Sequence, residues 1–148
     1  MSKAVRITGL AVAGVSAAVA LAGCGFSEAV TEHGNGHVKT VDYASGDEGK
    51  DNQDARLPDW VPDQAKSVTE VIRTTGSERI LRFTSAGLPD TCVSGAASKT
   101  AATLTADWWP SGQEGKTDQV CDDDWHVYVE GDTVYAFVPE TIDQAGAN

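Results

Sequence analysis

Trp125-His126-Val127-Tyr128-Val129-Glu130-Gly131-Asp132-Thr133-Val134-Tyr135-Ala136-Phe137-Val138 decides the fold class of this 148-residue chain. Two runs rich in β-branched and aromatic residues flank Gly-Asp, a two-residue connection of the primed kind that hairpins prefer. Pairing Glu130 with Thr133 sets Val129 opposite Val134, Val127 opposite Ala136 and Trp125 opposite Val138, all on one face. That face is the predicted core. The other carries Tyr128 opposite Tyr135 and His126 opposite Phe137, an aromatic and polar strip whose side chains lie close across the strands.

Upstream, Ala102, Leu104, Ala106 and Trp108 alternate with Thr103, Thr105, Asp107 and Trp109 and stop at Pro110. This period of two predicts a strand, with a helix over 96–106 as the competing reading of the alanines. The strand places Trp108 in the core with Trp125 and sends Trp109 to the opposite face, beside Tyr128, Tyr135 and His126. There the aromatic side chains form either a binding platform or a second small core, with Trp60 and the segment after Pro62 as its cover. Arg79-Ile80-Leu81-Arg82-Phe83-Thr84 is another strand candidate. Val68-Thr69-Glu70-Val71-Ile72-Arg73 fits a helix face or a β-hairpin, and the preferred reading is a helical turn after Pro62 followed by a strand. The expected fold is α+β, mainly antiparallel β: a small single sheet with a C-terminal hairpin, short helical turns and one disulfide. The folded domain is expected over 57–141, with 142–148 a disordered tail. Roughly 85 residues support one core of limited size.

At the other end, Lys3 and Arg6 precede Ile7–Gly23, an apolar stretch rich in Ala and Gly with a single Ser. It is shorter and less apolar than the roughly 20 residues of a permanent spanning helix, and has the layout of an export signal. Leu21-Ala22-Gly23-Cys24 at its end resembles a bacterial lipobox. The resemblance implies cleavage before Cys24, diacylglycerol on its thiol, and a protein anchored on the extracytoplasmic face of the cell membrane. A plain secretory signal leaving Cys24 free is the alternative. Residues 24–56, polar and without periodicity, are expected to form an acidic tether. Within it, His33 and His37 stand four positions apart, but the intervening glycines make them weak metal-ligand candidates.

With Cys24 assigned to the anchor, Cys92 and Cys121 remain as an even pair in a compartment where disulfides persist. Their bridge closes a loop worth roughly 3.5 kcal/mol in the chain-entropy model. A two-thiol metal or redox site is the other possibility, though no Cys-x-x-Cys is present. Removing Lys3 and Arg6 with the signal leaves nine Lys and Arg against 22 Asp and Glu, a formal charge of −13. That balance opposes nucleic acid and anionic headgroups, favours cationic or neutral partners, and helps an exported protein stay soluble and monomeric.

Leu57-Pro58-Asp59-Trp60-Val61-Pro62, Thr74-Thr75-Gly76-Ser77, Asp107-Trp108-Trp109-Pro110, Asp124-Trp125-His126 after Cys121, and Gly131-Asp132-Thr133-Val134-Tyr135 together resemble small lipoproteins of high-GC Gram-positive bacteria. The resemblance spans roughly residues 57–139. It implies the membrane location and a single disulfide-bearing domain, and supplies no catalytic residue. Asp122-Asp123-Asp124 departs from it, being longer and more acidic than the short Cys-x-Asp-Trp step of that group.

Chemistry-bearing motifs are scarce. A Ser or Cys nucleophile needs a base within hydrogen-bond reach, and His126 is the only histidine of the expected domain. Asp122, Asp123 and Asp124 offer hard oxygen ligands without the alternation, glycine and distal Glu of a helix-loop-helix calcium site. No phosphate-cradling or metalloprotease motif occurs, and no cofactor is expected. The favoured reading is a noncatalytic binding module on the lipid anchor, with Trp109, Tyr128, Tyr135, His126 and Phe137 as its candidate face and an envelope protein or glycan as its partner. An envelope hydrolase or metal-dependent enzyme, and a passive surface or metal-capturing protein, are the alternatives.

Overall fold

The computed structural model describes residues 37–141 as seven strands in one antiparallel sheet. These are β1 (Val38–Ser45), β2 (Lys66–Arg73), β3 (Arg79–Thr84), β4 (Val93–Ser94), β5 (Gln119–Cys121), β6 (Trp125–Glu130) and β7 (Thr133–Val138), in the spatial order β1-β2-β3-β7-β6-β5-β4. One short helix, α1 (Gly46–Asp51), follows β1, and single 3-10 turns occupy Gln113–Lys116 and Asp122–Asp124. The fold is the expected small, mainly antiparallel sheet with a C-terminal hairpin and one disulfide. Among the described residues no helix is long and apolar enough to cross a membrane. The expected signal over 1–23, Cys24, His33 and the tail expected at 142–148 lie outside the described residues.

The hairpin adopts the register read from its sequence. Glu130 pairs with Thr133, Val129 with Val134, Tyr128 with Tyr135, Val127 with Ala136 and His126 with Phe137. Gly131 turns the chain at φ 66°, a left-handed conformation that glycine takes without a Cβ clash. Arg79–Thr84 is the expected strand and pairs along its whole length with β7.

Each face of the sheet is covered. On one, Val68, Ile72, Leu81, Phe83, Trp125, Val127, Val134 and Ala136 pack beneath Ala55, Leu57, Trp60, Val61 and Ala65 from the segment after α1. On the other, Val71, Ile80, Tyr128 and Phe137 pack beneath Leu104 and Trp109. A sheet of this size gains by burying both faces, since its single core would otherwise be thin.

Three expectations are corrected. The folded unit starts at β1, well before Leu57, so residues 38–56 are not a tether. Val41 and Tyr43 alternate inward, β1 pairs with β2 from Val38 to Ser45, and the Tyr43 hydroxyl donates to the Ala55 carbonyl at 2.5 Å. The alternation is too short and too polar to stand out until β2 supplies its partner. Secondly, the helical turn expected after Pro62 is a plain turn at 63–64, while the strand expected to follow it is present and runs from Lys66 to Arg73.

Thirdly, residues 102–108 form no strand. The only pairing there is the bridge between Ala106 and Trp109. The segment crosses the sheet face, and its amides find a carboxylate instead of a ladder. Glu78, itself buried, accepts from the Thr103 amide at 2.5 Å, the Leu104 amide at 3.0 Å and the Thr103 hydroxyl. Arg73 lies 3.2 Å from the same carboxylate and donates to Thr103 Oγ1 at 2.6 Å. These donors hold the Glu78 carboxyl below its ordinary value, although burial opposes them.

Candidate functional site

The aromatic strip of the hairpin is a second core. Tyr128 and Phe137 are buried, Tyr135 and His126 are half-buried, and Trp109, at 0% exposure, seals them. Trp109 sits 6.0 Å from Phe137 and 6.3 Å from Tyr128 between ring centroids, and Tyr128 stacks on Tyr135 at 4.8 Å. Burial, with the Tyr135 and Glu130 charges beside it, pushes the Tyr128 phenol up to about 12. Trp109 thus takes the face expected of it, beside Tyr128 and Tyr135, whereas Trp108 and Trp60 have exchanged the faces expected of them. Trp108 is half-buried under the Arg82 guanidinium, 5.1 Å from its ring, and Trp60 packs on the opposite face. Without a continuous strand, alternation no longer dictates which side each indole takes.

His126 lies between Val120 and Phe137 in the sheet, and its Nδ1 is buried without a hydrogen-bond partner. Among the described residues no carboxylate lies within ion-pairing distance of its ring, so the acid-base constellation a hydrolase would need is not assembled around it. Asp122, Asp123 and Asp124 are exposed on a tight turn, with Asp123 and Asp124 at φ 61° and 60°. Among the described residues no three His, Cys, Asp or Glu side chains gather as a metal set, and His37 is exposed at the start of the sheet.

Cys92 and Cys121 form the disulfide, with Cα atoms 4.0 Å apart. It ties the segment before β4 to the end of β5, and both neighbours of the bridge, Thr91 and Asp122, border a cleft of about 1210 Å³. This cleft lies at one end of the sheet. Trp60, Val61 and Pro62 form one wall, Thr84–Pro89 and Thr91 the other, and Leu88 is half-buried between them. Trp60 is backed by Trp125 and Phe83, at 5.8 and 5.9 Å between ring centroids. Asp59, Asp63, Asp122 and Asp132 stand around the cleft with Lys50 and Lys66.

The walls are held from several directions. Ser85 donates its amide to the Asp132 carbonyl at 2.9 Å, Cys92 donates to Pro89 at 3.0 Å, and Ala65 donates to Pro62 at 3.0 Å. Gly46 is required behind the Pro62 wall, since a Cβ there would come 2.0 Å from the Pro62 carbonyl oxygen. Such concave, apolar-lined sites with a few polar groups at the edge are where ligands bind. Sequence reasoning missed this cleft because its residues come from five separated segments of the chain. The one available signal was the proline-flanked Trp60-Val61, a rigid apolar pair in an otherwise polar stretch. Comparisons of the chain with protein-family models, with curated proteins and with solved structures give no match.

Proposed function

We propose that the chain is an exported lipoprotein, anchored through diacylglycerol on Cys24 to the extracytoplasmic face of the cell membrane, and that its folded domain is a noncatalytic binding module. The single observation that supports a binding role is the cleft, lined by apolar Trp60, Val61, Pro62 and Leu88, bordered by a disulfide-pinned segment and edged by carboxylates. The anchor rests on the lipobox-like Leu21-Ala22-Gly23-Cys24 behind an export-type segment. The ligand site moves from the hairpin strip, which is covered, to the opposite side and end of the sheet.

Two measurements test this reading. Alkyne-fatty-acid labelling of cells labels the native chain, and Cys24→Ser abolishes the label and releases the protein from the membrane fraction. A photo-crosslinking residue at Gln64, beside the cleft, captures a defined neighbour in intact cells, whereas the same residue at Val93, 60% exposed and outside it, does not. Identical captures from both positions would remove the support for a binding cleft.

A further inference from the structure

We infer that the cleft takes an extended cationic, amphipathic peptide segment, its apolar side chains against Leu88, Pro62 and Pro89 and its basic side chains on Asp122 and Asp132. The inference rests on the binding reading above and adds the chemistry of the ligand.

Size comes first. Pockets for drug-sized molecules are about 300–1,000 Å³, and this cleft, at about 1210 Å³, is larger and is lined along one side by Thr84–Pro89 and Thr91. Ala86 and Gly87 are exposed there and Leu88 half-exposed. None of the three amides donates to an acceptor among the described residues, since the backbone bonds of this segment begin at Ser85 and resume at Cys92. A peptide main chain laid along it could accept those bonds.

Charge decides the sign of the ligand. Lys50 is consumed by Asp63 at 2.7 Å, and Asp59 pairs with Arg56 at 2.6 Å. That leaves Asp122 and Asp132 against the single cation Lys66. The stretches of backbone that carry these two aspartates are also positioned. Asp132 is fixed to one end of the 85–91 segment by the Ser85 hydrogen bond, and Asp122 to the other end through the disulfide beside Thr91. A segment with basic residues flanking apolar ones matches both ends and the middle, while an acidic one meets the field of a chain with net charge −11.

Three fluorescein-labelled synthetic peptides test this on the full chain in detergent. Each has a core of leucine and alanine, with arginine, glutamine or glutamate at both ends, and binding is read by anisotropy at several salt concentrations. The arginine peptide is expected to bind at least tenfold tighter than the glutamine peptide, with the preference fading as salt rises. Asp122→Asn with Asp132→Asn should bring the arginine peptide down to the affinity of the glutamine peptide and leave the latter unchanged. Both positions are exposed, and circular dichroism checks the fold of the double variant. Equal binding of all three peptides, or an unaltered arginine preference in the double variant, overturns the cationic ligand. Leu88→Glu then separates the levels: loss of glutamine-peptide binding would leave the cleft standing as a site. Failure of every peptide to bind overturns the peptide ligand, while capture from Gln64 and not from Val93 would still uphold the cleft as a binding site.

Discussion

Glu70→Gln should erase a fall in stability between pH 4.5 and 7. Glu70 lies on β2 at 0% exposure, packed among Val41, Val68, Ile72 and Leu81. Arg79 Nη1 approaches its carboxylate to 3.2 Å, but neither carboxylate oxygen receives an aligned hydrogen bond, and the same guanidinium nitrogen donates to the Arg56 carbonyl at 3.1 Å. Burial therefore outweighs the ion pair and lifts the carboxyl from 4.5 to about 7. In the unfolded chain the proton leaves near pH 4.5, whereas the folded protein keeps it until about 7. Across that window the native state binds more protons, so stability falls as pH rises. A gap of about 2.5 units corresponds to roughly 3 kcal/mol. Glu78 and Asp47, whose carboxyls are lowered, act in the opposite sense and below this window: their stabilisation is lost as pH falls beneath 4.5 and 3.8. Urea unfolding of wild type and Glu70→Gln at pH 4.5, 6 and 7.5 reads the difference directly, and other titrating groups cancel. The variant should match wild type at the lowest pH and exceed it by roughly 3 kcal/mol at the highest. A difference that stays constant with pH would refute the dominance of burial over Arg79.

The two adjacent tryptophans should behave very differently. Trp109→Ala empties the centre of the second core and should cost about 3–5 kcal/mol by thermal or chemical unfolding, while Trp108→Ala, which loses contact with Arg82, should cost about 1 kcal/mol. Equal losses would mean that the cover over the hairpin is placed wrongly. Glu78→Ala removes the acceptor for Thr103 and Leu104 and should cost about 3–5 kcal/mol, with the amides of Thr103 and Leu104 losing hydrogen-exchange protection ahead of the sheet. Unchanged protection at those two amides would deny Glu78 its role as the fastening point.

What could be read in advance was local. The hairpin register follows from alternation on both sides of Gly131-Asp132, because each residue's partner is fixed by a two-residue turn. Cys92 and Cys121 were legible by elimination once Cys24 was set aside for the expected anchor. The 38–45 strand was hidden because its burial comes from β2, some thirty positions on, and its own pattern of Val41 and Tyr43 among polar residues resembles loop. The segment carrying Leu104 and Trp109 was misread for the converse reason. Its alternation looks like a strand, yet its backbone partners are the carboxylate of Glu78 and its own Ala106–Trp109 bridge, and no period predicts a side chain as a ladder. The cleft lay beyond reading because Lys50, Trp60, Leu88, Asp122 and Asp132 meet only once the whole sheet has formed.

Strand β1 has a spatial consequence for the anchored protein proposed above. Only 13 residues separate Cys24 from Val38, a link that reaches at most about 50 Å when fully drawn out. The domain is then confined to a thin layer over the bilayer and explores it in two dimensions. A partner in the same layer is met at an effective concentration that can approach millimolar for short links. Occupancy of the cleft would then be governed by co-residence on one membrane more than by affinity, and a weak, quickly exchanging grip would be enough.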